Sequence, residues 1–581
     1  MFQKLFNRSF LNLLVCVSLG SSFVLSGCNP KTETPNASVP SQTQNDTLKL
    51  LYWQAPTILN PHLSTGFKDS EASRITLEPL ASYDKNSQLI PFLAAEIPTI
   101  ENGGIAKDGK SVTWNLKQNI KWSDGTPFTA DDVVFTYQFI TNNKVGSTSA
   151  ETYTNIVKVE ALDKYTVKIT FKTSTPSWDR PFTGTSGMIL PRHSYEKYNG
   201  ENARQAPANL IPIGTGPYKV IEFKPGDVVV YEANSYFRDE DKLGFKRIEL
   251  KGGGDATSAA RAVLQTGDAN YAYNLQVEAP ILKQLETGGQ GKIISLLGPL
   301  SERILVNLSD PNQTTKEGER SNLKFSHPFF NDKKVREAFS LAVDRDTIAQ
   351  QLYGVTGKPT ANFLILPQEY NSPNTSYEFN LEKASQLLDE AGWKDTNNNR
   401  TRDKNGVEMK VLLQSSVNTL RQKTQEIIKQ GLQKIGVGVE LKSIDPSVFF
   451  SSDPANNDTV EHFYADLQMF TTGNDNPDPS TYMKTYTCNT IPQKANNWSG
   501  DNYSRYCNPE YDQLWEASNK ELDPKKRAEI FIKMNDILVK DFVVIPLVHR
   551  AEVAAINNQL QGFDLTPWDR NTWNIKDWKV K

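Results

Sequence analysis

Asp395, Asn397, Asn399, Thr401 and Asp403 place oxygen-bearing side chains at every second position, the spacing of a calcium loop. Two requirements of that loop are unmet. Arg400 stands where a turn glycine belongs, and Gly406 stands at position twelve, where a bidentate Glu is needed. The stretch therefore reads as an Asn/Asp-rich turn. The five histidines (62, 193, 327, 462 and 549) are scattered, with no two at metal-ligand spacing, so no metal is expected. Lys251-Gly252-Gly253-Gly254-Asp255 lacks the Gly-Lys-Ser/Thr ending of a phosphate loop. There is no Gly-x-Ser-x-Gly elbow and no Cys/His nucleophile pair, so an enzyme reading has no residues to carry it and no cofactor is expected. Asp131 and Asp132 stand in a first helical turn, where acidic side chains complement the dipole without any catalytic duty. The remaining dense polar stretch is Thr471-Thr472-Gly473-Asn474-Asp475-Asn476-Pro477-Asp478-Pro479, which read locally is a polar turn.

Of four cysteines, Cys16 sits in an apolar leader and Cys28 directly follows Leu25-Ser26-Gly27. Lys4 and Arg8, the apolar run to Leu25 and the small residues after it make a secretory signal over residues 1–27. The run is shorter and more interrupted than a membrane span of about 20 apolar residues. The Cys28 context resembles the lipobox of bacterial lipoproteins, which implies a diacylglycerol on Cys28 and an extracytoplasmic protein, in the periplasm or at the cell surface, held to a membrane by lipid. Cys488 and Cys507 then remain, and in an oxidising compartment they form a plausible disulfide around 490–505, contributing about 3 kcal/mol; two free thiols are the alternative.

Residues 28–47, rich in Pro, Ser, Thr and Asn, cannot offset their ordering entropy by burial and form a tether. At about 5–6 Å × √n, its root-mean-square span is about 25 Å. The rest of the 581 residues is too long for one core. Lys and Arg number 64 against 67 Asp and Glu, a net charge of -3 without basic clusters, which leaves no electrostatic footprint for nucleic acid. Ten Trp, 21 Tyr and 27 Phe suit a binder of small polar molecules.

The elements that must position these residues are mixed α/β. Val112-x-Trp114-x-Leu116 and Val167-x-Ile169-x-Phe171 alternate as half-buried strands do. Thr129 caps a helix carrying Val133, Val134, Tyr137 and Ile140. Residues 409–413, 420–435 and 437–441 make a strand–helix–strand unit, with Gly436 ending the helix. Asp523-Pro524 opens a helix to about 539, followed by a strand at 542–547.

Several of these stretches resemble the bacterial extracellular solute-binding proteins of family 5, the peptide/nickel type that serves ABC importers. They are Ile120-Lys-Trp122-Ser-Asp124-Gly125-Thr-Pro127 through Asp131-Asp132 to Phe135, Pro212-Ile-Gly214-Thr-Gly216-Pro217-Tyr218, and Asp332-Lys-Lys-Val335-Arg336-Glu-Ala338-Phe with Val343-Asp344-Arg345 and Gly354 to Gly357. With Asn60-Pro61-His62 and Glu78-Pro79-Leu80, they fall in family order from residue 50 to about 550.

The resemblance implies an α/β, two-lobed periplasmic-binding-protein fold with a ligand cleft between the lobes. Lobe I would take 48–80, 206–305 and 545–581, with an extra subdomain at 81–205, and lobe II would take 306–544. The crossovers would fall near 305–307 and 542–547. It implies that Asp475 receives a peptide's α-ammonium, with Asn474 the competing alignment, while the backbone from Thr471 through Gly473 pairs with the ligand. Gln54 marks the second backbone partner, where Pro56 removes a donor. Arg421 is a candidate for a ligand carboxylate, with an ordinary surface Arg as the alternative. Trp498 and Tyr503 are candidates for the pocket wall, with loop packing as the alternative. The expected partners are a short peptide, an ABC permease with its ATPases and the membrane, the protein itself being a monomer. Nickel chelate, haem or oligosaccharide binding on the same fold is the runner-up; a tethered hydrolase and an envelope scaffold are the readings from other classes.

Overall fold

Leu48, Leu50 and Tyr52 alternate with more accessible neighbours along the first strand, β1 (Thr47–Tyr52), and all three are buried. In the computed structural model, which describes residues 46–451 and 453–581, β1 lies inside an eleven-stranded sheet. The expected signal, Cys28 and the expected tether as far as residue 45 lie outside the described residues. The other strands of the sheet are β2 (Tyr218–Lys224), β3 (Val228–Ala233), β4 (Arg247–Gly252), β5 (Tyr271–Ala272), β6 (Gly291–Val306), β7 (Gly357–Pro359), β8 (Lys410–Ser416), β9 (Gly438–Ile444), β10 (Leu467–Thr472) and β11 (Val544–Asn557). Their order is β9-β8-β10-β6-β11-β5-β1-β4-β3-β2, with β7 on β11.

Two long strands hold the halves together. β6 and β11 run antiparallel, but β10 joins β6 only along 301–306, and β5 joins β11 only at Ala555 and Ile556. Between these attachments the ladder breaks. Leu297 pairs with Ala551 and Ser301 with His549, leaving Gly298, Pro299 and Leu300 outside the register. Pro299 has no amide to donate there.

Each half has its own core. Beyond the break, Val411, Leu413, Leu467 and Met469 pack against Phe339, Ile428 and Leu432. On the near side, Leu48, Leu50, Tyr231, Ile248 and Tyr271 pack with Trp578. Strand–helix–strand geometry holds for β8, the helix Thr419–Lys434 and β9, which pair in parallel, and Gly436 follows the helix at φ +83°.

A separate core forms between residues 80 and 189. The expected strands there, Ser111–Asn115 and Thr166–Phe171, pair antiparallel beside Ile156–Asp163. Trp114 and Trp122 are fully buried in this core. The helix Ala130–Thr141 starts at Thr129 with a reciprocal capping box to Asp132. Asp132 also accepts from the Trp122 indole at 3.3 Å and from the Arg192 amide at 3.0 Å, so its carboxylate is spent on structure. In the 395–403 turn, Asp395 accepts the amides of Asn399 (3.1 Å) and Arg400 (2.9 Å).

Candidate functional site

The segment that leaves β10 builds the site. Thr471 and Thr472 are still in register, opposite Glu302 and Ser301 of β6. One residue later the chain lies on the ladder break: a Cβ on Gly473 would stand 2.2 Å from the Pro299 carbonyl oxygen, so only glycine fits. Asn474 then turns inward. Its amide group donates to the carbonyls of Leu366 (2.9 Å) and Asn476 (3.0 Å), while its Oδ1 is buried without a donor.

Asp475 comes next and faces the gap between the halves, its side chain 37% exposed. Ser186 Oγ donates to its Oδ2 at 3.2 Å, and Arg180 Nη2 stands 3.6 Å from its Oδ1. Both partners belong to the 80–189 region. Other contacts cross the same gap: Lys423 with Glu278 at 2.6 Å, Lys484 with Glu151, Thr65 Oγ1 to the Phe450 carbonyl at 2.7 Å, and Asn418 to the Gln276 carbonyl at 3.2 Å.

A cavity opens beside Asp475, walled by Gly473, Thr185, Trp568, Glu552 and Arg570. Burial holds the Glu552 carboxyl above its usual range, and Arg570 and Arg550 oppose that shift. The Arg570 guanidinium lies 4.1 Å from the Phe67 ring centroid, and its Nε is buried without an acceptor. Carboxylates and unpaired polar atoms thus converge on one recess, an arrangement suited to a small charged or hydrogen-bonding group.

Gly473, Asn474 and Asp475 are brought together here. The other expected residues are not. Arg421 is not an open guanidinium: it is 2% exposed and donates to Glu302 Oε1 at 3.0 Å and Ser416 Oγ at 2.7 Å. A buried arginine needs a buried carboxylate, and Glu302 supplies it. Thr471 serves the same network, donating to Glu302 and accepting from Arg421 at 3.2 Å. The Thr472 carbonyl accepts from Arg303 at 3.3 Å. Gln54 lies outside this cavity, in a turn where Ala55 abuts Gly252 and the Pro56 carbonyl accepts the Gly226 amide at 2.8 Å.

Trp498 lies outside this cavity and is buried: its ring is tilted against His462 at 4.1 Å between centroids and meets Tyr464 edge to face. Tyr503 is buried with its hydroxyl on Asp501 at 3.0 Å. Cys488 and Cys507 are joined in a disulfide that closes the loop between them.

Sequence reasoning missed Arg180, Ser186, Glu552, Trp568 and Arg570. One signal was there to be read: the tripeptide Trp-Asp-Arg occurs at 178–180 and again at 568–570. Both copies reach the gap, each with its Asp tied down, Asp179 by the Tyr83 hydroxyl and Asp569 by Arg74 at 3.1 Å.

A two-half sheet with its polar recess at the junction defines a solute receptor. The chain belongs to the bacterial extracellular solute-binding proteins, family 5, whose middle-region model matches residues 88–493. It is 28% identical over 534 residues to the oligopeptide-binding protein AppA of Bacillus subtilis, covering 90% of this chain and 89% of that one. A dipeptide-binding protein of Pseudomonas aeruginosa is 24% identical over 550 residues, covering 89% and 92%. Among solved structures, AppA in complex with a nonapeptide superposes with a TM-score of 0.78 at 25% identity, covering 92% of this chain and 99% of AppA. NikZ from Campylobacter jejuni in complex with Ni(L-His) gives 0.77 at 25% identity, with the same coverage. The fold is the two-lobed one of that family, and the family is extracytoplasmic.

Proposed function

We propose that this chain is the substrate-capturing subunit of an ABC importer, and that it holds a short peptide by its α-ammonium at Asp475. One observation carries the reading: Asp475 is presented at the junction of the halves, next to a recess, with a hydrogen bond from Ser186 to one oxygen, only a long ion-pair contact from Arg180 to the other, and lone pairs to spare. A partly desolvated carboxylate selects an ammonium strongly, whereas contacts to the peptide main chain ignore side-chain identity. The sequence relationship to oligopeptide- and dipeptide-binding proteins supports a peptide as the solute.

In this reading the halves are the lobes, and the ladder break at 298–300 with its partner at His549–Ala551 is the hinge, several residues inside the crossovers expected from sequence. Closure buries the ligand, ligand binding selects the closed population, and that shape docks on a permease. Lipid on Cys28 keeps the monomer at the membrane. A nickel–amino acid chelate is the second reading, favoured by the likeness to NikZ. Native mass spectrometry of the purified protein separates the two. Retained short peptides support the first, a retained nickel chelate supports the second, and failure to bind any peptide from an added tripeptide mixture contradicts the first.

A further inference from the structure

Arg180 is the cation nearest the carboxylate that receives the amine in the proposed function, and it is built into the chain itself. Its side chain is 5% exposed, against 37% for Asp475, so the guanidinium is held by the protein and the carboxylate is the open partner. One terminal nitrogen donates to the Asp478 carbonyl across the gap at 2.5 Å. The other stands 3.6 Å from Asp475 Oδ1, within ion-pair range but beyond a hydrogen bond. Nε is buried and unpaired. Two other carboxylates share its field: Asp478, which pairs with Arg527, and Asp179, which accepts from Tyr83, and the Arg180 charge favours the ionised form of both. Asp475 is thus the carboxylate beside Arg180 that stays open to a ligand, and its pairing with the guanidinium is loose.

Resting on the reading of Asp475 as an ammonium acceptor, we propose that Arg180 is a specificity-setting residue: a resident counter-cation that competes with the ligand's amine for Asp475. An ammonium docking on this carboxylate arrives beside a desolvated positive charge that the protein cannot move into water. Part of the attraction it would gain from a bare carboxylate is cancelled. A ligand whose N-terminus is neutral loses nothing to Arg180. The residue therefore narrows the preference for free over blocked amino termini.

The test uses a synthetic tripeptide mixture, free and N-acetylated, titrated against the full-length protein with bound species read by native mass spectrometry. Relative to wild type, Arg180→Met should raise the free-to-acetylated affinity ratio roughly tenfold, with Arg180→Lys in between, because its point charge is retained but its fork is lost. Asp475→Asn should collapse the ratio toward one. If Asp475→Asn collapses it while Arg180→Met and Arg180→Lys leave it unchanged, the counter-cation idea is wrong and the amine site stands. If Arg180→Met weakens both peptide forms equally, Arg180 is an ordinary ligand contact or an interlobe brace, and the idea is likewise wrong. If Asp475→Asn changes nothing, or no peptide binds the wild type, the amine site fails and this inference with it. Should Arg180→Met not fold, the Lys variant alone decides.

Discussion

Arg421 and Glu302 form a buried ion pair across 119 residues of sequence, Nε to Oε1 at 3.0 Å, with side chains 3% and 0% exposed. The pair clamps the helix Thr419–Lys434 to β6, and Thr471 of β10 completes it. Removing Arg421 leaves Glu302 with the buried Arg550 as its remaining cation, so the cost falls below the about 3–5 kcal/mol of a fully uncompensated buried charge. Arg421→Met should lower the urea midpoint accordingly, and Arg421→Met with Glu302→Gln should cost less than the two separate losses added. Affinity for peptide with a free carboxyl end should fall no further than affinity for the amidated form. A normal midpoint with selective loss of the free-carboxyl peptide would restore Arg421 as a ligand contact.

Gly473 allows β10 to end against Pro299. A Cβ there would collide with a backbone carbonyl that has no rotamer to retreat to. Gly473→Ala should displace the 473–475 segment and weaken peptide binding at least tenfold, while thermal stability falls by about 1–3 kcal/mol, the usual range for overpacking. Calorimetric titration at unchanged affinity would show that the close approach is irrelevant to the site.

The helix at 130–141 was legible because its determinants are local. Thr129 and Asp132 cap each other, and Val133 and Ile140 face one core. The same holds for β8, its helix and β9, whereas Gly473 to Asp475 read locally as a polar turn and only the family resemblance marked them out. Arg421 stayed open between two readings, neither of them the buried ion pair, for the opposite reason. A guanidinium at a helix start looks the same whether its partner is a ligand or a carboxylate 119 positions away. Arg180 and Arg570 reach the site from segments about 295 and 95 residues from Asp475 along the chain, and only their shared Trp-Asp-Arg context hinted at a common place. The break at Gly298 to Leu300 left no mark beyond Gly-Pro inside an apolar strand.

The Cys488–Cys507 bond spans a sequence separation of 19, so its loss relaxes the unfolded chain by about 3 kcal/mol. The loop it closes packs through Trp498 against His462 and Tyr464 of the preceding segment, outside the cavity. Cys488→Ser with Cys507→Ser should unfold earlier in denaturant by that amount and bind peptide within threefold of wild type. Large loss of affinity in a stably folded double variant would place the loop in the pocket.

Burial pushes the Glu461 carboxyl up to about 8, Asp501 nearby adds to the rise, and Arg204 opposes it. The folded protein thus holds this proton more tightly than the unfolded chain does. Its contribution to stability is complete below about pH 4.5 and is lost as pH rises toward 8. Glu461→Gln keeps the neutral shape at every pH. The variant should match wild type near pH 4.5 and exceed it increasingly up to pH 8, by a few kcal/mol at about 1.4 kcal/mol per pKa unit. Denaturation curves from pH 4.5 to 9 that stay parallel would remove Glu461 from the account.

The most direct measurement is calorimetric titration of wild type and Asp475→Asn with a free-amine tripeptide mixture. Asparagine keeps the shape and loses only the charge. The amine-capture account predicts a loss of roughly 100-fold, about 2.7 kcal/mol, as expected when a charge-assisted hydrogen bond is removed. Equal affinity for the two proteins would contradict it.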